Sequence, residues 1–145
     1  MHAAAITGHG VFTPSEIITN DELVTAFNAH VDRWNAAHAE EIATGELEAK
    51  AHSSTEFIVA ASGIEQRYVL DKTGVLDPDV MHPWLRERSD DEPGQMAEMA
   101  LDACRAALDM AGVDAGQIDC VLCAASNHER AYPAIAVEIQ ELLGT

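Results

Sequence analysis

Residues 118–144 combine an apolar run, a short polar loop and a helical pattern, and they constrain the fold more than any other part of the chain. Residues 118–125 are almost uninterruptedly apolar and too few for a typical helix, which favours a strand covered on both faces in a parallel or mixed sheet. Pro133 suits a first helical turn, and Gly144 suits a left-handed helix end. The apolar residues between them recur at helical spacing: Ile135, Ala136, Ile139, Leu142 and Leu143.

Strand and helix patterns alternate along the rest of the chain. Thr19 and Glu22 form a capping box that starts a helix, and Gly112 ends the longest amphipathic pattern. The patterns predict a strand at 3–7 extended at 11–12, a helix from about 20 into the thirties that continues to 44, a helix from 53 or 54 to 61, a strand at 64–70, a loop at 71–93 and a helix at 94–112. This alternation favours an α/β layer sandwich that is incomplete at its C-terminal edge.

The pair Gly8 and Gly10 invites comparison with dinucleotide-binding sites. That fingerprint needs a third glycine and a helix that opens at once, because the pyrophosphate lies on the helix N-terminus. Thr13 and Pro14 follow here instead. The glycines therefore indicate a turn after the first strand.

Composition limits the partners and the compartment of the protein. The chain has 145 residues, 48% of them hydrophobic, which is enough for one domain with a core. The formal charge of −17 would repel phosphate backbones and anionic membrane surfaces, so we expect no nucleic acid or membrane partner. No segment approaches the roughly 20 apolar residues of a membrane span. Three cysteines do not form a disulfide framework, and we expect a soluble protein of a reducing, cytoplasmic compartment.

Cysteine and histidine, two residue types that often carry chemistry, give no metal or redox site. Cys120 and Cys123 stand three apart on the predicted strand, so their side chains point to opposite faces and cannot share one metal ion or one disulfide. We expect these two and Cys104 to pack in the core. The seven histidines lack the spacing of a helical zinc site, which favours surface or capping roles. His128 and Glu129 are the one pair placed where a sheet edge can host a ligand.

Four groups of short motifs together resemble a known family. In chain order they are Gly8-His9-Gly10-Val11-Phe12-Thr13-Pro14 with Thr19-Asn20-Asp21-Glu22-Leu23; Glu56-Phe57-Ile58 with Ser62-Gly63-Ile64-Glu65-Gln66-Arg67; Ala111-Gly112-Val113; and Asn127, Tyr132-Pro133 and Glu138-Ile139-Gln140 before Leu143-Gly144. In this order they are similar to the thiolase superfamily, most closely the β-ketoacyl-acyl-carrier-protein synthase III branch of condensing enzymes. The resemblance spans nearly the whole chain.

The resemblance implies a fold and an activity. It implies that residues 1–145 are the N-terminal part of a thiolase-like layered α/β/α fold, an incomplete half with inserts near 25–52 and 71–91, which look like the subgroup that accepts medium-chain primers. It implies an acyltransferase of fatty acid biosynthesis that condenses an acyl primer decarboxylatively with malonyl carrier protein. The implied partners are acyl carrier protein and acyl-CoA as substrates, with no cofactor and no metal, in a homodimer or with a complementing C-terminal chain.

The resemblance places the catalytic cysteine and its His/Asn pair beyond Thr145, so we expect this chain alone to be inert. It assigns binding walls to Ser53, Phe57, Ser126 and Tyr132. Tyr132 matches the aromatic residue that reaches across the dimer interface to the partner's acyl pocket, and Phe57 matches the one that stacks on the adenine of coenzyme A. The arginine that usually faces that adenine is Ala61 here, which leaves open whether coenzyme A carries the primer. Ordinary packing is the alternative for all four binding residues.

A second function stays open at this point. The chain could be a non-catalytic α/β interaction or acyl-binding module that pairs with another chain carrying the nucleophile. On either account we expect the apolar stripe of Ile135, Ile139 and Leu142 to need cover from another chain, because each such side chain left exposed forfeits about 1.5–3 kcal/mol.

Overall fold

The computed structural model describes residues 4–145, which form two compact units. The first, Pro14–Arg86, is called the two-strand unit here. The second, called the two-helix unit, consists of residues 4–13 together with 87–145. In sequence, the two-strand unit therefore lies between the two segments that make up the two-helix unit.

The regular elements divide between the units in chain order. The two-strand unit contains β1 (Glu16–Thr19), α1 (Asn20–Ala37), α2 (Ala39–Thr44), α3 (Thr55–Ser62), β2 (Gln66–Val69) and the short α4 (Thr73–Leu76). The two-helix unit contains α5 (Gln95–Ala111), a 3₁₀ turn at Ala115–Gln117 and α6 (Ile135–Leu143).

The two-strand unit is built on an antiparallel pair of strands and the helix that follows the first of them. In the register of β1 and β2, Ile18 lies opposite Arg67. Alternation along β1 buries Ile18, which is 1% exposed, and leaves Ile17 37% exposed. Two buried residues of α1, Ala26 and Val31, complete the apolar core of this unit.

Local capping starts α1 and both starts and ends α3 as the sequence predicts, whereas the helix predicted to continue to residue 44 is interrupted at His38, between α1 and α2. The Thr19 backbone N–H donates to Glu22 Oε2 at 2.9 Å and the Glu22 N–H donates to Thr19 Oγ1 at 3.2 Å, which completes the predicted capping box of α1. Ser54 caps α3 through the Phe57 N–H at 3.1 Å. Gly63 ends α3 at φ 69°, a left-handed conformation that glycine adopts without a Cβ penalty.

The two-helix unit buries apolar residues between α5 and α6. The two helices contact each other, and the buried residues are Ala97 and Leu101 on α5 with Ile139 on α6. Ile139 is 3% exposed, and Ile135 and Leu142 are partly covered. The expectation that this stripe needs cover from another chain is therefore wrong for Ile139, which is buried within the chain, while Ile135 and Leu142 keep part of their surface exposed.

The backbone of the N-terminal segment packs closely against the alanine-rich face of α5 at Gly8 and Gly10. A Cβ on Gly8 would lie 2.2 Å from the Ala107 carbonyl oxygen, and one on Gly10 would lie 2.0 Å from the Ala103 carbonyl oxygen. Both values are far inside van der Waals contact. Only glycine fits at these two positions, and the alanines of α5 allow the approach.

Two predicted strands are absent from the part of the chain that the structure describes. Residues 4–7 and 11–12 have no strand assignment, and Ala3 of the predicted first strand lies outside the described residues. Residues 118–125 also form no strand, and Leu122 within them is 92% exposed. A buried strand needs a neighbouring strand to pair its backbone groups. The one sheet of the described residues, β1 with β2, lies in the other unit.

Two smaller differences concern helices. The predicted loop at 71–93 contains the four-residue helix α4. The last helix, α6, begins at Ile135 after the cap Ala134, two residues beyond the predicted start at Pro133, and the Tyr132–Pro133 peptide bond is cis. Over residues 4–145, none of the helices has the length and apolar character to cross a membrane.

Candidate functional site

The loop at 126–134 carries two of the four residues assigned to binding walls. It lies between residues 118–125 and α6 in the two-helix unit. Ser126 is exposed, and Tyr132 is 90% exposed. The phenol ring of Tyr132 is thus available to a ligand or to another chain.

Glu129 joins this loop to the N-terminus of α5. Its Oε2 accepts from the Gln95 N–H at 2.9 Å, and its Oε1 accepts from the Met96 N–H, also at 2.9 Å. These are the first two amides of α5, which have no acceptor within the helix. The negative charge also suits the positive end of the helix dipole. The residue that the sequence suggested as a ligand partner of His128 therefore caps a helix.

A second carboxylate, that of Glu138, meets the same helix end from α6. The Gly94 N–H donates to Glu138 Oε2 at 3.1 Å, and the Glu138 side chain is only 8% exposed. Arg130 Nε lies 3.5 Å from Glu138 Oε1 and balances this buried charge. Arg130 also donates to the carbonyl oxygens of Asp90 at 3.1 Å and Glu92 at 2.9 Å.

A cavity of about 420 Å³ lies beside the loop. Its lining includes Cys123, Asn127, His128 and Arg130, with alanines and Ile135 from the start of α6. A thiol, an imidazole and an amide thus border one space, together with the Arg130 guanidinium and apolar side chains. Among residues 4–145, no hydrogen bond joins the Cys123 thiol to His128, so the structure shows no activated nucleophile here.

The cysteines differ from the sequence expectation. Cys120 and Cys123 are exposed and Cys104 is partly buried, so core packing was wrong for the first two. Both lie in residues 118–125, which form no strand and therefore do not pack into a sheet with two covered faces. Cys104 and Cys120 line a second cavity of about 350 Å³ that does not include Cys123. Within the described residues, no group of three His, Cys, Asp or Glu side chains could hold a metal ion.

The other two assigned residues, Ser53 and Phe57, lie in the two-strand unit. Asn28 of α1 clamps the Ser53 backbone, accepting from its N–H at 2.8 Å and donating to its carbonyl oxygen at 3.0 Å. Ser53 lines a cavity of about 270 Å³ together with apolar residues of α1, Ile58 and Arg67. Phe57 stands outside that lining and is 65% exposed.

Arg67, the one charged residue in the lining of that cavity among the described residues, is bound by the buried side-chain amide of Asn20. Asn20 is buried, accepts from Arg67 Nη1 at 2.7 Å and donates to the Ile64 carbonyl oxygen, also at 2.7 Å. Sequence analysis missed both Asn20 and Arg67 as a pair. Their contact spans 47 residues and leaves no local pattern that could have indicated it.

Asp71 organises the turn inside the second predicted insert. The Thr73 hydroxyl donates to it, and the backbone N–H groups of Trp84 and Gly74 donate to its Oδ2 at 2.6 and 3.2 Å. These donors, Thr73 first, lower the pKa of Asp71 to about 2. The acceptor is therefore charged throughout the physiological pH range. The Asp71 carboxylate thus joins the start of the insert to Trp84.

The histidines take surface and capping positions where the structure describes them. His30 and His38 bond backbone carbonyl oxygens of Pro78 and Trp34 at 2.9 and 2.8 Å, and His52 lies 2.7 Å from Asp32. These contacts agree with the expected roles. His2 lies outside the described residues.

Sequence comparison now gives the family. Over 119 residues the chain is 56% identical to a β-ketodecanoyl-[acyl-carrier-protein] synthase of Pseudomonas aeruginosa, an alignment that covers 82% of this chain and 34% of that protein. Over 144 residues it is 26% identical to a β-ketoacyl-[acyl-carrier-protein] synthase III of Ehrlichia canis, covering 99% and 31%. The chain is a homologue of the N-terminal part of β-ketoacyl-acyl-carrier-protein synthase III. It spans about a third of the length of these relatives.

Solved structures give the synthase III fold independently. The crystal structure of 3-oxoacyl-[acyl-carrier-protein] synthase III from Aquifex aeolicus superposes with a TM-score of 0.62 at 19% identity, covering 98% of this chain and 32% of that one. The priming β-ketosynthase of the R1128 polyketide biosynthetic pathway gives 0.60 at 21% identity, covering 97% and 29%. The thiolase-like fold expected from the sequence is confirmed. No protein-family model matches the chain.

The four residues assigned to synthase III binding walls therefore divide between the two units. Ser53 and Phe57 belong to the two-strand unit, and Ser126 and Tyr132 belong to the two-helix unit. Ser53 is held by Asn28, whereas Phe57, Ser126 and Tyr132 are exposed. Their roles in binding stay predictions.

Proposed function

We propose that the chain supplies the N-terminal third of a condensing acyltransferase. The complete enzyme transfers an acyl primer from a carrier thioester to its cysteine. It then condenses that acyl group with malonyl carrier protein, with loss of carbon dioxide, in fatty acid synthesis. The observation that supports this most is the 56% identity to the Pseudomonas aeruginosa synthase over 82% of the chain.

The chain contributes walls and not the nucleophile in this proposal. Ser53, Phe57, Ser126 and Tyr132 are each proposed to contact the primer or its carrier. The exposed rings of Phe57 and Tyr132 offer faces for stacking or for contact with an acyl chain. Condensation of this kind needs no cofactor, because the decarboxylation itself generates the carbanion. A cytoplasmic homodimer is the expected assembly.

The proposed primer is a medium-chain acyl group. The Pseudomonas aeruginosa relative is named for a β-ketodecanoyl product. Since decarboxylated malonyl contributes two carbons, that product comes from an octanoyl primer. Acyl-CoA and acyl carrier protein are both candidate primer carriers. Position 61 is alanine, so no arginine side chain at that position accompanies the exposed Phe57 ring in holding an adenine. This weakens the binding of coenzyme A and favours acyl carrier protein as the carrier of the primer.

A chimera tests this function. This chain replaces the aligned N-terminal part of the Pseudomonas aeruginosa synthase, and condensation is measured with acetyl, butyryl, octanoyl and dodecanoyl primers on each carrier. We expect turnover with octanoyl as the preferred primer. The unaltered synthase is the positive control. A folded chimera without condensation product, beside an active control, would contradict the proposal.

The rival function is a non-catalytic module that pairs with another chain. The exposed apolar residues at 118–125, with Leu122 at 92%, are the observation that favours it. Mass spectrometry of the 145-residue chain after incubation with octanoyl-CoA tests what the two accounts share, namely that this chain carries no nucleophile for the condensation. We expect no adduct on Cys104, Cys120 or Cys123. A stable acyl adduct accompanied by product would show that the chain itself carries the chemistry.

A further inference from the structure

The N-terminus of α5 has no capping side chain of its own. Its cap residue is Gly94, followed by Gln95 and Met96, so the sequence lacks the Ser, Thr, Asp or Asn that would accept from the first amides. Glu129, more than thirty residues later, accepts from both amides at 2.9 Å. The helix start therefore depends on a distant loop.

Gly94 is fitted to the two carboxylates that converge there. A Cβ at this position would lie 2.8 Å from Glu138 Oε2 and 3.2 Å from Glu129 Oε2. Glycine lets both oxygens approach the backbone closely. Arg130 adds the compensating cation, 3.5 Å from Glu138, and grips the 90–92 backbone through two carbonyl oxygens.

Two adjacent side chains provide hydrogen bonds that tie residues 126–133 to the N-terminus of α5 and to the backbone at 90–92. They are Glu129 and Arg130. Tyr132 follows two residues later and is 90% exposed, so packing does little to hold its ring. The position of the ring thus depends on its two anchored neighbours.

We propose that Glu129 and Arg130 are positioning residues that clamp the loop carrying Tyr132 onto the N-terminus of α5, and that they set primer-length selection through Tyr132. The second half of this inference rests on the proposed function. The first half concerns the chain alone. The two halves have separate tests.

Hydrogen exchange on the 145-residue chain tests the clamp. In the wild type the Gln95 and Met96 amides are protected although they begin a helix. Glu129→Gln keeps the shape and removes the charge, and we expect both amides to exchange about tenfold faster, the factor for losing a typical charge-assisted hydrogen bond. Glu129→Asp, which keeps the carboxylate, falls between the two. Unchanged exchange in Glu129→Gln would overturn the clamp.

The control for this experiment is Glu46→Gln in the two-strand unit, where an exposed glutamate undergoes the same change of charge. It leaves the Gln95 and Met96 amides as they are. Equal acceleration by Glu46→Gln would mean that net charge, not the clamp, controls exchange, and would also overturn the inference. Far-ultraviolet circular dichroism of each variant confirms that the helices persist.

Primer selection in the chimera tests the second half. Glu129→Gln and Arg130→Lys each change the ratio of kcat/KM between octanoyl and acetyl primers by about three- to tenfold, as a mispositioned wall does. In a Tyr132→Ala background neither substitution changes the ratio further, because its effect passes through Tyr132. Full additivity would overturn the positioning role. A wild-type chimera that makes no product instead counts against the proposed function, while the exchange result still decides the clamp.

Discussion

The two units differ in how their elements are specified. In the two-strand unit, a capping box starts α1, and a serine cap and a left-handed glycine bound α3, all within a few residues of sequence. In the two-helix unit, α5 and α6 form as predicted, but the apolar run at 118–125 forms no strand. Sequence patterns thus predicted helices in both units, but of the predicted strands only β2 of the two-strand unit formed within residues 4–145.

The two units differ because a helix is determined by residues close in sequence, whereas a strand also depends on a partner strand far along the chain. A helix pairs its backbone groups within itself, so caps and periodicity largely decide it. A strand pairs them with another strand, and β1 and β2 find each other across about 50 residues. Residues 118–125 have the composition of a buried strand, but they have no strand partner within the described residues. Without a pairing strand, the apolar side chains of this segment, such as Leu122, stay exposed.

The largest expected effect is in the core of the two-strand unit. Ile18→Ala removes a side chain that is 1% exposed, and we expect the free energy of unfolding to fall by about 2–5 kcal/mol. Ile17→Ala, one residue earlier on the same strand, is the control and costs less than about 1.5 kcal/mol. Urea denaturation of both variants measures the difference. Equal losses would mean that β1 does not present alternate faces to core and solvent.

The next effect concerns the close approach in the two-helix unit. Gly10→Ala places a Cβ 2.0 Å from the Ala103 carbonyl oxygen, and the required shift lowers stability by about 1–3 kcal/mol. Gly116→Ala is the control because its Cβ meets nothing within 4 Å. It changes stability by at most about 1 kcal/mol in the stabilising direction. A neutral Gly10→Ala in thermal denaturation would contradict the packing of the N-terminal segment on α5.

Helix ends were predicted more accurately from the sequence than strands were. Thr19 with Glu22, Gly63 and Gly112 were predicted because each acts on neighbours in the chain. The strand at 64–70 was right because it alternates. The strand at Glu16–Thr19 was missed because four residues give too short a pattern.

The candidate site was less accessible to prediction. The residue pattern placed Tyr132 in a loop before the last helix, and the loop is there with the ring exposed. Glu129 and Arg130 were not recognised as its anchors, because their partners are backbone groups 33 to 40 residues away. Backbone amides and carbonyls carry no residue type. A sequence pattern therefore cannot indicate such contacts.

A smaller, pH-dependent effect sharpens the comparison within the second insert. The pKa of Asp71 is about 2 in the folded chain and about 3.9 in an unfolded one, so its charged form stabilises the fold. This contribution is complete above the unfolded pKa and is lost as the pH falls toward the folded pKa. Asp71→Asn is therefore less stable than the wild type near pH 6, and the gap closes between about pH 4 and pH 2.

The control for Asp71 is Asp119→Asn, a change at an exposed position of the two-helix unit. Its stability follows that of the wild type across the same pH range. Urea denaturation at several pH values measures all three proteins. A constant gap between the wild type and Asp71→Asn would show that the carboxylate charge at this turn contributes nothing.

Thiol alkylation tests most directly whether the apolar run at 118–125 lies unpaired and exposed. The native chain is treated briefly with iodoacetamide, and peptide mapping gives the rate at each cysteine, with the urea-unfolded chain as reference. The account predicts that Cys120 and Cys123 react nearly as fast as in the unfolded chain, while the partly buried Cys104 reacts more slowly. Protection of Cys120 and Cys123 equal to or greater than that of Cys104 would contradict it.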